Sequence, residues 1–376
     1  MGVGMRVLAA VTAVMMLAAT GVAAQGARVG GPKSLSEWTI PGGGAAMAAG
    51  VVGEDGLAVA VRGGHGPRLV HVDGRGRVVD DFTLAGSDAV ARAVAAPPGA
   101  VALMAGPADP PGFEHGIAIW RLQLAADGHL KQDWLRRFRR TALDGGTGAV
   151  ALEDGGVVVV GRTGQEGAWV LRLDAEGDPA WRRLASPVAA EGVFEARAVT
   201  LAPGGDVLVA AYGAASPMAP GGIWVLRFDG GGTDRAQTVI DEAEDEHPEA
   251  LASFADGGLV VAGWTLTVTE GVRAPLNARN AWLVRLGADG HIAWDHRWPG
   301  GAGAIAAVAA LDDGGVLAAG QVAGAAVLTR LDASGGTVWE WRRQGAALNG
   351  LALLPDGRAV AVGERQGRPW GVRFSY

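Results

Sequence analysis

Hydrophobic and polar residues alternate along this chain in short runs and do not recur every third or fourth position. Around Trp169, Leu171 and Leu173 apolar side chains take every second place, the period of a strand with one buried face. Val157 to Val160 form a short β-branched run of the kind buried on both faces. The two patterns recur as a pair. The alternating phrase reads "WVLRLDAEGDPAW" from Trp169, "WVLRFDGGGTD" from Trp224, "WLVRLGADGHIAW" from Trp282 and "VLTRLDASGGTVW" from Val327, with weaker copies from Arg68, Trp120 and Trp370. The β-branched run precedes each copy, beginning at Glu54, Pro98, Glu153, Pro203, Ala255, Asp312 and Pro355.

Turn chemistry separates the runs. Gly76, Gly128, Gly177, Gly232, Gly290 and Gly335 occupy one equivalent place, where a tight hairpin needs positive φ. Asp73, Asp174, Asp229 and Asp332 open the same turns, since their carboxylates can accept from the backbone two residues on. Each unit therefore holds about four strands and no amphipathic helix, which defines a β-propeller. The equivalent apolar positions Val72, Leu124, Leu173, Phe228, Leu286, Leu331 and Phe374 are spaced by roughly 50 residues, a repeat length of propeller families. The expected fold is all-β: seven four-stranded antiparallel blades. Tyr376 ends the chain after a third strand, and the segment around Trp38 supplies a fourth, so the last blade is expected to be closed by the N-terminal strand.

The first residues read as an export leader. Arg6 precedes an apolar stretch from Val7 to Thr20, and Val22 and Ala24 occupy small-residue cleavage positions. Residues 1–24 are thus expected to be removed and 25–376 to form one propeller domain, periplasmic or extracellular. The alternative is an uncleaved anchor, because the apolar run approaches the length of a marginal span; its Ala-rich composition and cleavage site favour removal. No later stretch is long and apolar enough to span a bilayer. With 32 Lys plus Arg against 39 Asp plus Glu, the net charge of −7 argues against nucleic acid as a partner. The absence of Cys removes disulfides, thiolate catalysis, Cys-bound zinc and a lipid-modified N-terminus. A monomer without a cofactor is expected.

The phrases "LDAEGDPAW" and "LDASGGTVW" resemble the tryptophan-docking repeat of PQQ-type propellers, and "DGGLVVAG" followed by "WLVRLGADGHIAW" resembles bacterial delta-60-type repeats. Trp181, Trp294 and Trp339 match the docking Trp, whose role in that family is to pack one blade against the next. Blades one and four depart from the pattern, with Asp80 and Ala236 in that place. The resemblance is one of structural positions, and no segment matches the metal-binding and catalytic set of PQQ-dependent dehydrogenases.

Propeller ligands meet loops at one end of the central channel. Aligning the innermost strands puts Arg92, Arg197, Glu249, Ala306 and Asn349 at one level, with Glu195 and His247 two residues earlier. Strand alternation places Glu195 on the face of Arg197, and His247 on that of Glu249. Arg92, Glu195, Arg197, His247, Glu249 and Asn349 are therefore the candidate binding residues. The long loops from Gly106, Tyr212 and Trp264 gather at the same end. The acidic segment Asp241 to Glu249 reads as a solvated loop, since it lacks a calcium-loop pattern. No GxSxG elbow, HExxH pair, Walker loop or dinucleotide fingerprint stands in its proper context. Two functions follow: a non-catalytic module binding a protein, peptide or glycan, or an enzyme (hydrolase, lyase or quinone-linked oxidoreductase) using Glu195, His247 and Glu249.

Overall fold

The computed structural model describes residues 31–376 apart from short segments at 54–55, 64–65, 85–89, 96–99, 107–115, 140–144, 164–166, 186–191, 217–218, 242–243, 270 and 299–300. At strand positions 90–95, 100–106, 116 and 139 the backbone alone is described. The expected leader, residues 1–24, and most of the loop that starts at Gly106 lie outside the described residues.

Each repeat folds into a four-stranded antiparallel sheet, ordered from the inside outwards as in the chain. The first sheet takes Ala45–Val52, Gly56–Gly63, Gly66–Val72 and Val78–Thr83; the second Val90–Ala95, Ala100–Gly106, Gly116–Leu124 and Leu130–Arg139. The third takes Gly145–Ala151, Val157–Thr163, Gly167–Leu173 and Pro179–Ala185; the fourth Val193–Leu201, Val207–Ala214, Gly221–Phe228 and Asp234–Ile240. In the fifth, Asp245–Ser253, Leu259–Leu266, Asn280–Leu286 and Ile292–Arg297 pair, and in the sixth Gly303–Ala310, Val316–Val322, Ala325–Leu331 and Thr337–Gln344. The last sheet holds Ala346–Leu353, Arg358–Arg365 and Arg368–Ser375, with Leu35–Thr39 as its outermost strand. That closure runs in register from Leu35 opposite Phe374 to Thr39 opposite Trp370. Each inner strand packs against the next, and Ala346–Leu353 returns to Ala45–Val52.

The seven sheets are not equivalent. In the second sheet the two inner strands are described by backbone pairing alone, while its outer strands bury Trp120, Leu122 and Leu130 and carry Trp134. The blades also differ in how they grip their neighbours. The second strands are the most buried, as Val157 to Val160 show at 2% exposure or less, because both faces meet adjacent sheets.

Hairpins between third and fourth strands follow the local rule. Asp174 N donates to Asp178 O and Gly177 N to Asp174 O, while the Asp174 carboxylate accepts from the amides of Glu176 and Asp178. Gly177 sits at φ 84°. A Cβ there would lie 2.9 Å from the Trp134 ring, so both the turn and the indole lying on it demand glycine.

That indole comes from the preceding sheet and recurs around the ring. Trp38 lies on Gly76, Trp134 on Gly177, Trp181 on Gly232 and Trp294 on Gly335. The Nε1 groups of Trp134, Trp181 and Trp294 donate to the carbonyls of Ala175, Gly230 and Ala333 at 2.9 to 3.0 Å. Trp339 faces the last sheet, which ends before a fourth-strand turn, and packs edge-on against Phe374 at 5.9 Å.

Candidate functional site

Every inner strand slips register once. The extra residue is Met47, Arg92, Thr147, Arg197, Glu249, Ala306 or Asn349. A bulge places two residues opposite one and re-aims a side chain. Two of these side chains act on the neighbouring sheet's backbone: Thr147 Oγ1 donates to Ala196 O at 2.7 Å, and Asn349 Nδ2 to Ala46 O at 2.9 Å. Both acceptors immediately precede the next sheet's bulge.

At the fourth and fifth sheets the same level bears charge. Glu195 Oε1 accepts from Arg162 at 2.8 Å, and its Oε2 lies 3.4 Å from Arg197 Nε. Glu249 is exposed and accepts from Trp264 Nε1 at 3.0 Å. The sequence-predicted pairings therefore occur in two forms: Glu195 meets Arg197 directly, while Glu249 and His247 are joined through Trp264.

His247 is the centre of the arrangement. Its ring lies between Tyr212, at 4.1 Å and 12°, and Trp264, at 3.7 Å and 9°. Nε2 is 3.1 Å from Asp245 Oδ2, and since a carboxylate only accepts, that nitrogen carries the proton. Nδ1 is buried without a protein partner. Asp245, fully buried, accepts at Oδ1 from Tyr212 Oη (2.9 Å) and Gly221 N (2.8 Å), and at Oδ2 also from Arg273 (3.2 Å). Burial alone would raise its pKa; the bonds from His247, Gly221 and Tyr212 outweigh that and hold it at about 2. Burial, then the Asp245 carboxylate, push the Tyr212 phenol above its usual range, so it stays a donor.

Arg273 brings the longest loop into this network. After Leu266 the chain makes a small hairpin, Val268–Thr269 with Val272–Arg273, then a 3-10 turn at Leu276–Ala278. Ala274 N donates to Thr267 O at 2.9 Å, and the Arg279 guanidinium lies 5.9 Å from the Trp264 ring. Val272 and Leu276, on this loop, are 70% and 69% exposed, the highest values among the exposed large hydrophobic residues described.

Of the sequence candidates, Glu195, Arg197, His247 and Glu249 converge here. Asn349 lies on another sheet and is spent on Ala46, and the side chain of Arg92 lies outside the described residues. The acidic segment is not a solvated loop: Asp245 and Glu246 are fully buried, Glu246 Oε1 accepts from Glu244 N, and Glu244 pairs with Arg297 at 2.7 Å. Sequence reasoning missed Tyr212, Asp245 and Arg273 as partners. Tyr212 and Trp264 marked loop beginnings, but nothing local announced that both rings would clasp one imidazole. Among the described residues no three His, Asp or Glu side chains form a group able to hold a metal ion. Open hollows lie instead at the opposite end, one of about 590 Å³ beside Asp154, Arg172, Pro203 and Gly230. The chemistry-bearing cluster and this hollow are thus on different ends of the ring.

No protein-family model matches the chain, and no curated protein does. Solved structures do. The WD40 domain of Toxoplasma gondii coronin aligns with TM-score 0.54 and 10% identity, over 93% of this chain and 88% of that one. Chaetomium thermophilum Sqt1 aligns with TM-score 0.53 and 16% identity, over 85% and 79%. A Dyadobacter fermentans protein of unknown function aligns with TM-score 0.51 and 14% identity, over 77% and 96%. At such identities the likeness establishes a β-propeller fold and nothing finer. Among the described residues no helix is long and apolar enough to cross a membrane.

Proposed function

We propose that this propeller is a non-catalytic binding module that takes a protein or peptide partner at its loop-bearing end. The observation carrying this reading is the loop after Trp264. It presents Val272 and Leu276 to solvent while Arg273, between them, is anchored on buried Asp245. Exposed apolar side chains on a fixed support mark an interaction site, since display costs solvation and the anchor removes the ordering cost on binding. Glycans, lacking large apolar faces at this spacing, fit the surface less well. The delta-60 or PQQ-like repeat type, which rests on the sequence resemblance, and an export leader over residues 1–24 with a periplasmic or extracellular location, which rests on Arg6, the apolar run from Val7 to Thr20 and the small residues Val22 and Ala24, belong to the same proposal.

The enzyme reading draws less support. His247 is covered on both ring faces and bound at Nε2, and Glu195 and Glu249 are engaged by Arg162 and Trp264. The remaining nitrogen, Nδ1, is buried, so proton transfer there would first have to open the stack around it. The test is capture from an envelope fraction with wild-type protein and with Val272→Ser plus Leu276→Ser. The double variant is expected to lose the bound partner while keeping its thermal midpoint. An unchanged set of bound proteins would overturn the proposal.

A further inference from the structure

Four seams between blades are closed by an indole on the next sheet's turn glycine, and in three of these a second side chain reinforces it. Two residues after each Trp, Arg136 donates to Gly177 O at 3.1 Å, Arg183 to Gly232 O at 2.5 Å, and His296 to Gly335 O. The two Arg groups also lie over their own indoles at 5.6 and 5.8 Å. Where the first sheet lacks Trp, Asp80 replaces it with polar contacts: Oδ2 accepts from Leu130 N at 2.7 Å and Oδ1 lies 3.4 Å from His129.

The fourth sheet has neither device. Ala236 and Thr238 stand in the two places, opposite the turn Gly287 to Gly290 of the fifth sheet. A hollow of about 360 Å³ occupies this seam, bordered by Val225, Ala236, Thr238, Leu286 and Gly290. Unlike the hollows at the seams on either side, it reaches the outermost strand. Asp256 and Asp289 border it as well, and no described side chain donates to the Ala288 or Gly290 carbonyl.

We propose that this seam is a binding site for a Trp side chain followed closely by a cation, presented by an extended segment of a partner protein along the open edge of Asp234–Ile240. The occupant's chemistry is set by the sister seams, where an indole covers the glycine, its N–H meets the carbonyl two residues earlier, and a cation meets the glycine carbonyl. The hollow, of mixed polar and apolar lining, has room for an indole. Asp256 is paired with Arg285 and the bordering Arg227 with Asp206, which leaves the Asp289 carboxylate to favour a cationic neighbour. The open edge supplies backbone pairing for an extended segment. This site is at the opposite end from the His247 cluster, so it does not depend on the function proposed above.

The test uses a fluorescent peptide with the sequence of Asp178 to Leu184, the chain's own docking strand, and fluorescence anisotropy. Saturable binding to the wild-type protein is expected. Replacing the peptide's Trp by Ala, or using Ala236→Trp protein whose new indole fills the slot, should each weaken binding at least tenfold. Absence of saturable binding, or equal affinity for the Trp and Ala peptides, overturns the proposal. So does equal affinity of folded Ala236→Trp protein; if that variant does not fold, the peptide pair decides alone.

Discussion

The seam between the third and fourth sheets and the seam between the fourth and fifth solve one mechanical problem at opposite ends. In the first, Trp181 lies on Gly232 and Arg183 on its carbonyl, at the short-turn end. In the second those residues are Ala236 and Thr238, and a cavity remains. The compensation is at the loop end, where Tyr212 and Gly221 of the fourth sheet both donate to Asp245 of the fifth. A hydrophobic clamp has been exchanged for a buried polar one. The exchange concentrates polar chemistry where the loops are and leaves aromatic-sized space where they are not. Buried polar clusters hold firmly only when every member is satisfied, so the two clamps should fail differently.

Removing the polar clamp has the largest expected effect. Asp245→Ala leaves Tyr212 Oη, His247 Nε2 and the Gly221 amide without their acceptor in a buried place, and should cost about 3–5 kcal/mol in chemical denaturation. Trp181→Ala opens the opposite seam and should cost about 2–3 kcal/mol, less than a fully buried Trp because this ring stays partly exposed. If Trp181→Ala proves the costlier, the polar clamp is not the stronger of the two.

Acid separates the clamps without mutation. Asp245 has a folded pKa of about 2, below its unfolded value of about 4, so its contribution is complete above pH 4 and is lost as pH falls toward 2. The loss should be on the order of 2 kcal/mol, and Asp245→Asn should remove that part of the slope. Denaturation midpoints at pH 5, 4 and 3 measure it; an equal slope in the variant would assign it to other carboxylates.

Filling the empty slot should have a smaller effect of opposite sign. Ala236→Trp is expected to raise stability by about 1 kcal/mol, the usual scale for cavity filling, read as a higher thermal midpoint. Smallest of all, Val272→Ser with Leu276→Ser should move stability by less than about 0.5 kcal/mol, since both side chains face solvent.

Much of the architecture was legible because its causes are local. Period-two alternation, β-branched runs and the Asp-to-Gly turns act within a few residues, so repeats beginning far apart could be aligned by eye. The bulge level was legible for the same reason: Arg197, Glu249 and Asn349 were placed together from strand phrases alone. Their roles were not. Asn349 turned to the neighbouring backbone and Glu249 to an indole, because a bulge re-aims a side chain in a way that alternation does not encode. The acidic segment misled for a related reason. Charge runs are normally solvated, but here Asp245 found four donors contributed by two sheets and a loop.

By itself the chain determined its strands, its turns and the joining of its two ends, since hydrogen bonding and turn geometry are short-range and repeat with the phrase. Only the tertiary structure decided that Tyr212, His247 and Trp264 would stack together beside Asp245 and that the seam beside Ala236 would stay hollow. Those outcomes depend on how neighbouring sheets approach each other, and that distance is set by packing across the whole ring.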